Sequence, residues 1–203
     1  MAAVAKHPVN RWPALLDAAA ALFAERGYHA TTIRDVTRAA GVTPGAIYSH
    51  VPTKQALLVA VYTEGVDRIT RHVEASISQE TDSMLRFRLG IKAHLESILD
   101  ASAYARVIVR VVPSDVPEAA AELRAQRDRY EMWFRALISA LDLPAGRSPA
   151  LLRMLLIGAL NSTPNWYRPS KGGLDAIVDE FVAVFGAAAP RRSPSKSRRR
   201  AKT

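Results

Sequence analysis

An all-α fold is predicted for this 203-residue chain by three features of its sequence. Apolar side chains recur at three- and four-residue spacing from residue 53 almost to the end. No pair of alternating apolar and polar segments reads as neighbouring strands. Residues 32–54 (TIRDVTRAAGVTPGAIYSHVPTK) spell two short helices joined by a tight turn. The expected arrangement is an N-terminal three-helix head of helix-turn-helix type, followed by a C-terminal helical body. Residues 1–9 are read as a flexible N-terminus, 10–62 as the head, 63–189 as the body and 190–203 as a disordered basic tail.

Asn10 can cap the first helix, and Pro13 falls in its first turn, where a missing N–H is tolerated. Leu15, Leu16, Ala19, Leu22 and Phe23 give it an apolar stripe, and Gly27 stops it. Thr32 caps the second helix, with Asp35 three residues on at its positive end, while Ile33, Val36 and Ala40 share one face. Gly41 permits the left-handed exit, and Val42 turns inward. The next helix starts at once, with Thr43 as cap and Pro44 at its first position. Gly45 and Ala46 carry so little bulk that this end can approach base edges in a major groove, while Ile47 points inward. Tyr48, Ser49, His50 and Lys54 then align hydroxyl, imidazole and ammonium donors along one edge, suited to phosphates. With Thr32, Thr43, Pro44, Gly45 and Ala46 they form the candidate DNA-contacting set.

A long helix leaves the head on Leu57, Leu58, Val61, Tyr62, Val66, Ile69 and Val73. A break at Thr81, Asp82 and Ser83 opens another, bearing Leu85, Leu89, Leu95 and Leu99. A shorter apolar segment over 103–112 stops at Pro113, and 113–117 is a turn. Residues 118–143 form an amphipathic helix with Leu123, Tyr130, Trp133, Phe134, Leu137 and Leu141. Residues 150–166 and 174–188, joined by a turn over 168–173, are the most apolar stretches.

Residues 11–27 (RWPALLDAAAALFAERG), Thr31-Thr32, Ala40-Gly41-Val42 and the Tyr-Ser-His-Val-Pro-Thr-Lys run at 48–54 together resemble the DNA-binding domain of the TetR family of bacterial transcriptional regulators. The likeness covers residues 10–62. Thr37 departs from the family's usual alanine and Val51 from its usual phenylalanine, which predicts looser packing under the reading helix. The resemblance implies that the last two helices of each subunit pack against their symmetry mates. Helices apolar nearly all round need such cover. Leu152, Leu156, Leu160, Ile177, Phe181 and Val184 are the expected dimer contacts, and a two-fold dimer predicts a palindromic operator on double-stranded DNA.

Charge placement says more than total charge. Of the 28 Lys and Arg, six lie in residues 1–62 against three acids, 15 in 63–190 against 16 acids, and seven in 191–203 against none. Both ends can meet polyanions and the middle is not built to. The tail, RRSPSKSRRRAKT, has two readings: a solubilising segment, or a sequence-independent DNA contact acting through counterion release. The absence of cysteine suits a reducing compartment, and no apolar run approaches the roughly 20 residues of a membrane span, so a soluble, cytoplasmic bacterial protein is expected.

Polar and amphipathic side chains in apolar helices mark a ligand cavity, because burial gains nothing from them without partners. Tyr104, Tyr130, Trp133, Met154, Asn161, Asn165 and Trp166 fit that description; ordinary core packing is the competing reading for each. The Asn-Trp-Tyr-Arg-Pro run at 165–169, with Gly172-Gly173, resembles the C-terminal part of regulators of lipid or sterol breakdown that sense acyl-coenzyme A thioesters. That likeness makes a small hydrophobic or acyl-coenzyme A effector the expectation, with Arg106 and Arg110 as candidates for its phosphates or carboxylates. His7, His29, His50, His72 and His94 are scattered, His72 and His94 being read as solvated or locally satisfied. No metal-ligand spacing, nucleophile motif or phosphate loop appears, so no catalytic residue, metal or cofactor is expected. The function expected is a ligand-responsive regulator, most simply a repressor. The alternative is an architectural DNA-binding protein of the same fold without a small ligand.

Overall fold

The computed structural model describes residues 11–168 and 173–186. Over these the chain is helical throughout, without a strand. The expectations for Asn10, the N-terminal segment, most of the turn after Arg168 and the basic tail fall outside the described residues.

Three helices make the head: α1 (Trp12–Arg26), α2 (Ile33–Ala39) and α3 (Pro44–Tyr48). The capping box on α2 is complete. Asp35 N–H donates to Thr32 Oγ1, and Thr32 N–H donates back to the Asp35 carboxylate. Gly41 takes φ +65° in the turn, a left-handed conformation that a side chain would strain. Thr43 stands at the cap position of α3 without a side-chain hydrogen bond, so Pro44 and the turn set that start. Thr37 and Val51 are both buried, and Thr37 satisfies its hydroxyl by donating to Arg34 O at 3.1 Å.

Helix α4 (Lys54–Ile77) runs from head to body, its first turn capped by Thr53. The body adds α5 (Ser83–Leu99), α6 (Ala103–Arg110), α7 (Ala120–Ser139), α8 (Pro149–Trp166) and α9 (Gly173–Phe181), which continues as a π-helical turn, Val182–Gly186. Asp82 caps α5, Ser102 α6 and Ser148 α8. The segment expected as one helix over 118–143 is shorter. Pro117–Ala119 forms a separate 3-10 turn before α7, and the helix ends at Ser139.

Two apolar clusters hold these elements. The first joins α1, Val36 and Ile47 to the N-terminal half of α4, and it also takes in Tyr104 and Val107 of α6, Val116, Ala119 and Leu123. The second joins the C-terminal half of α4 to α5, α7, α8 and α9. A division at residue 62 therefore crosses the first cluster, and α6 packs with the head. Gly65 makes that packing close: a Cβ there would lie 2.6 Å from Ile108 Cδ1, so α4 and α6 touch backbone to side chain. Helix α9 is held to α5 by Val178, fully buried, and by ion pairs from Arg88 to Asp179 at 2.8 Å and from Lys92 to Asp175 at 2.9 Å.

Candidate nucleic-acid interface and body cavity

The helix-turn-helix is pinned from behind by Ile47 and Val36, both essentially inaccessible. This leaves Thr43, Pro44, Gly45, Tyr48, Ser49 and His50 exposed, with Ala46 half-buried. Tyr48 is 56% exposed and projects freely. His50 is steadied by stacking on Trp12, with ring centroids 5.1 Å apart. The Ser49 hydroxyl donates to Ala46 O at 2.8 Å. Thr32 donates its hydroxyl to the Asp35 carboxylate, and the hydrogen bonds from Thr32 hold that carboxyl below the usual range.

Lys54 departs from the expected phosphate role. Its Nζ donates to Tyr28 O and Thr31 O, each at 3.0 Å, and lies 4.2 Å from the centre of the Tyr28 ring. An ammonium so engaged ties the start of α4 to the loop before α2. Arg34 and Arg38, exposed on α2, offer more accessible cations beside this face. Their four-residue spacing on one helix was the signal that reading the turn alone passed over.

In the body, a cavity of about 170 Å³ lies among α4, α5, α6, α7 and α8. Tyr130 and Asn161 of the expected pocket residues lie along it, beside Tyr62, Val66, Ile69, Ile98, Ile108, Val109 and Ile157, with the charged Arg127 and Glu131 also in its lining. His94 also lines it, contrary to the reading of a solvated or locally satisfied residue: it is buried, its Nδ1 2.7 Å from the Tyr130 hydroxyl, its ring edge-on to Phe134. Burial pushes the imidazole down to about 4, with hydrogen bonding from the Asn161 side chain pulling the other way. Burial pushes the Tyr130 phenol well above its ordinary range and Tyr62 up to about 12. The sequence hid His94 because a single histidine at a core position of α5 looks like any other polar interruption of an apolar face.

The other expected pocket residues lie elsewhere. Tyr104 donates its hydroxyl to Asp17 at 2.9 Å and carries the Arg68 guanidinium 4.0 Å above its ring, so it fastens α6 to α1. Trp133 packs on the second cluster. Asn165 lines a separate groove of about 480 Å³ with Asp100, Arg106, Arg110, Pro164 and Tyr167. Ile98 and Val109 border both this groove and the cavity. Arg110 also donates to Ala24 O in the head at 2.8 Å. Met154 and Trp166, 62% and 51% exposed, face outward.

That outward face corrects the expected dimer contacts. Leu156 and Leu160 are fully buried inside the protomer, because α8 turns that side to α5 and α7. Leu151, Met154, Leu155 and Trp166 occupy its other side and are exposed, as is Val184. Leu152, Ile177 and Phe181 are half-buried. No described helix is long and apolar enough to cross a membrane.

A three-helix head presenting the short second helix of a helix-turn-helix, packed against a helical body, is the architecture of a DNA-binding transcriptional regulator. The model for bacterial regulatory proteins of the tetR family matches residues 15–61, and that for a tetracyclin repressor-like C-terminal domain matches residues 80–187. The chain belongs to the TetR family, whose members bind operator DNA as dimers. It is 28% identical over 176 residues to the HTH-type transcriptional activator FasR of Mycolicibacterium smegmatis, covering 85% of this chain and 77% of that protein. It is also 28% identical over 191 residues to the HTH-type transcriptional repressor KstR2 of Rhodococcus jostii, covering 87% and 90%. Among solved structures, the fatty acid degradation regulator FadR from Bacillus halodurans superposes with a TM-score of 0.77 at 20% identity, over 93% of this chain and 100% of that one. AibR, in complex with isovaleryl coenzyme A and operator DNA, does so with a TM-score of 0.71 at 21% identity, over 86% and 97%. At those identities the likeness bears on the fold.

Proposed function

We propose that this protein is a dimeric repressor that binds a palindromic operator and releases it when a small hydrophobic or acyl-coenzyme A effector enters the body. Residues 10–62 act as the DNA-binding head and 63–189 as the effector and dimerisation body. The observation that carries this reading is the double attachment of α6. Ile108 and Val109 form a wall of the cavity, while Tyr104 and Arg110 of the same helix grip Asp17 and Ala24 of α1. A ligand that shifts α6 must shift α1, and with it the reading helix. Effector and operator then oppose each other reciprocally, each weakening the other by one coupling factor.

Thr43, Pro44, Gly45 and Ala46 meet base edges, while Thr32, Tyr48, Ser49 and His50 meet the backbone. The outward stripe of Leu151, Met154, Leu155 and Trp166, with Leu152, Ile177, Phe181 and Val184 beside it, forms the subunit contact. The adjoining groove with Arg106 and Asn165 suits the anionic part of a coenzyme A thioester whose acyl end occupies the cavity. KstR2 and AibR, the one by its name a repressor and the other solved with an acyl-coenzyme A, support the choice.

The test is selection of bound duplexes from a random library at near-physiological salt, then displacement of the enriched site by short-chain acyl-coenzyme A thioesters. A palindromic site released by a thioester is the expected result. Tight, salt-sensitive binding without enrichment supports the architectural alternative instead and ends this reading.

A further inference from the structure

His94 stands in the body cavity with one ring nitrogen engaged and the other not. Nδ1 meets the Tyr130 hydroxyl at 2.7 Å, whereas Nε2 is buried and has no hydrogen-bond partner. The ring is neutral near pH 7, because burial depresses its basicity, so one of the two nitrogens carries the proton.

Counting protons decides which. Were Nδ1–H to donate to the Tyr130 oxygen, the phenolic O–H would need a second acceptor, and none is present among the described residues. Nε2 would also keep a bare lone pair, leaving two polar groups unmet. With Tyr130 donating its O–H to Nδ1, a single group is left over, the Nε2–H. The Asn161 side chain acts on the ring as a hydrogen-bonding neighbour and raises its basicity, yet it does not meet Nε2 within hydrogen-bond geometry. A buried donor left without a partner is costly to the fold, so one that borders a cavity calls for a group to meet it.

We propose that the His94 Nε2–H is the polar anchor of the body cavity, and that its ligand is a compact apolar group bearing one carbonyl-type hydrogen-bond acceptor. The inference rests on reading the cavity as the effector site, and adds the group that this site recognises. Size sets the apolar part: a cavity of about 170 Å³ compares with the ~150 Å³ that accommodates benzene. A short or branched acyl chain fits this volume, with its carbonyl oxygen on Nε2–H. Tyr130 fixes the tautomer and therefore acts as a positioning residue.

Cyclohexanone and methylenecyclohexane are matched probes of that size, differing in whether an oxygen or a methylene group ends the double bond. Each is titrated by NMR against the full-length wild type and the His94→Phe variant. The ratio of cyclohexanone to methylenecyclohexane affinity is expected to fall about tenfold in the variant, the loss typical of one hydrogen bond to a buried donor. An unchanged ratio with both probes bound overturns the anchor and leaves the cavity standing. If neither probe perturbs the cavity resonances, the effector-site reading falls and the anchor with it. Nitrogen shifts of His94 in the wild type test the same idea without a variant: the Nε2–H tautomer, with its proton moving on cyclohexanone alone, supports it, and the Nδ1–H tautomer overturns it.

Discussion

The polar side chains at the base of the reading helix bond to the head's own backbone, whereas the wall of the body cavity holds a polar nitrogen that the body's own atoms leave unpaired. Lys54 closes onto two carbonyls, Thr32 and Asp35 complete a capping box, and Ser49 donates to Ala46. In the body, His94 holds a buried nitrogen without a partner at the wall of a cavity. Thr32, Lys54 and Ser49 brace the head through bonds within the chain, which favours a pre-organised surface. His94 instead leaves the body a polar nitrogen that no protein atom meets within hydrogen-bond geometry.

The largest effect that sharpens this contrast separates two adjacent leucines of α8. Leu156 is fully buried and Leu155 is 65% exposed. Leu156→Ala is expected to destabilise the protein by about 3 kcal/mol, as loss of a core leucine does. Leu155→Ala should leave chemical unfolding of the protomer nearly unchanged and weaken subunit association in sedimentation. Equal unfolding losses at both positions would mean that α8 is rotated from the orientation described.

Acid gives the next largest effect. His94 titrates ordinarily near 6.5 and in the fold only at about 4. Between those values the unfolded chain binds a proton that the native state refuses, so stability is full above pH 6.5 and declines as pH falls towards 4. At about 1.4 kcal/mol per pH unit the decline attributable to this group is at most about 3 kcal/mol. The difference in urea midpoint between pH 7 and pH 4.5 should therefore be larger for wild type than for His94→Phe. The variant subtracts the carboxylates that titrate in the same range, and identical declines in the two proteins would count against a neutral, buried imidazole.

Much of the head was legible in sequence because its signals are local. A cap, a glycine with φ +65° and a proline at the first helical position act within a few residues of themselves. Lys54 escaped this reading, since its partners Tyr28 and Thr31 lie 26 and 23 residues away. In the body the helices followed from periodicity, but the side of α8 that faces inward depends on how α5 and α7 pack. Leu156 and Leu160 were thereby assigned outward, and Met154 and Trp166 inward, when the reverse holds. An apolar stripe fixes that a face is covered and leaves open by what. His94 became informative only when four neighbouring helices were in place around it.

Lys54 and Tyr48 give the smaller effects and divide the head itself. Lys54→Met keeps the aliphatic stem but removes two charge-assisted hydrogen bonds from a part-buried site, at a cost of about 2 kcal/mol in unfolding free energy. DNA affinity should then fall through loss of the folded head, and recover where temperature is lowered enough to restore it. Tyr48→Ala removes an exposed ring that no other residue of the head depends on, so thermal stability should move by under about 0.5 kcal/mol. Affinity for specific and random duplexes should nonetheless fall together, because a backbone contact carries no base information. If Tyr48→Ala instead changed the preferred sequence at unchanged random-DNA affinity, the ring would belong to the base-reading face, and the division between Thr43 to Ala46 as readers and Tyr48 to His50 as backbone grip would move one turn along α3.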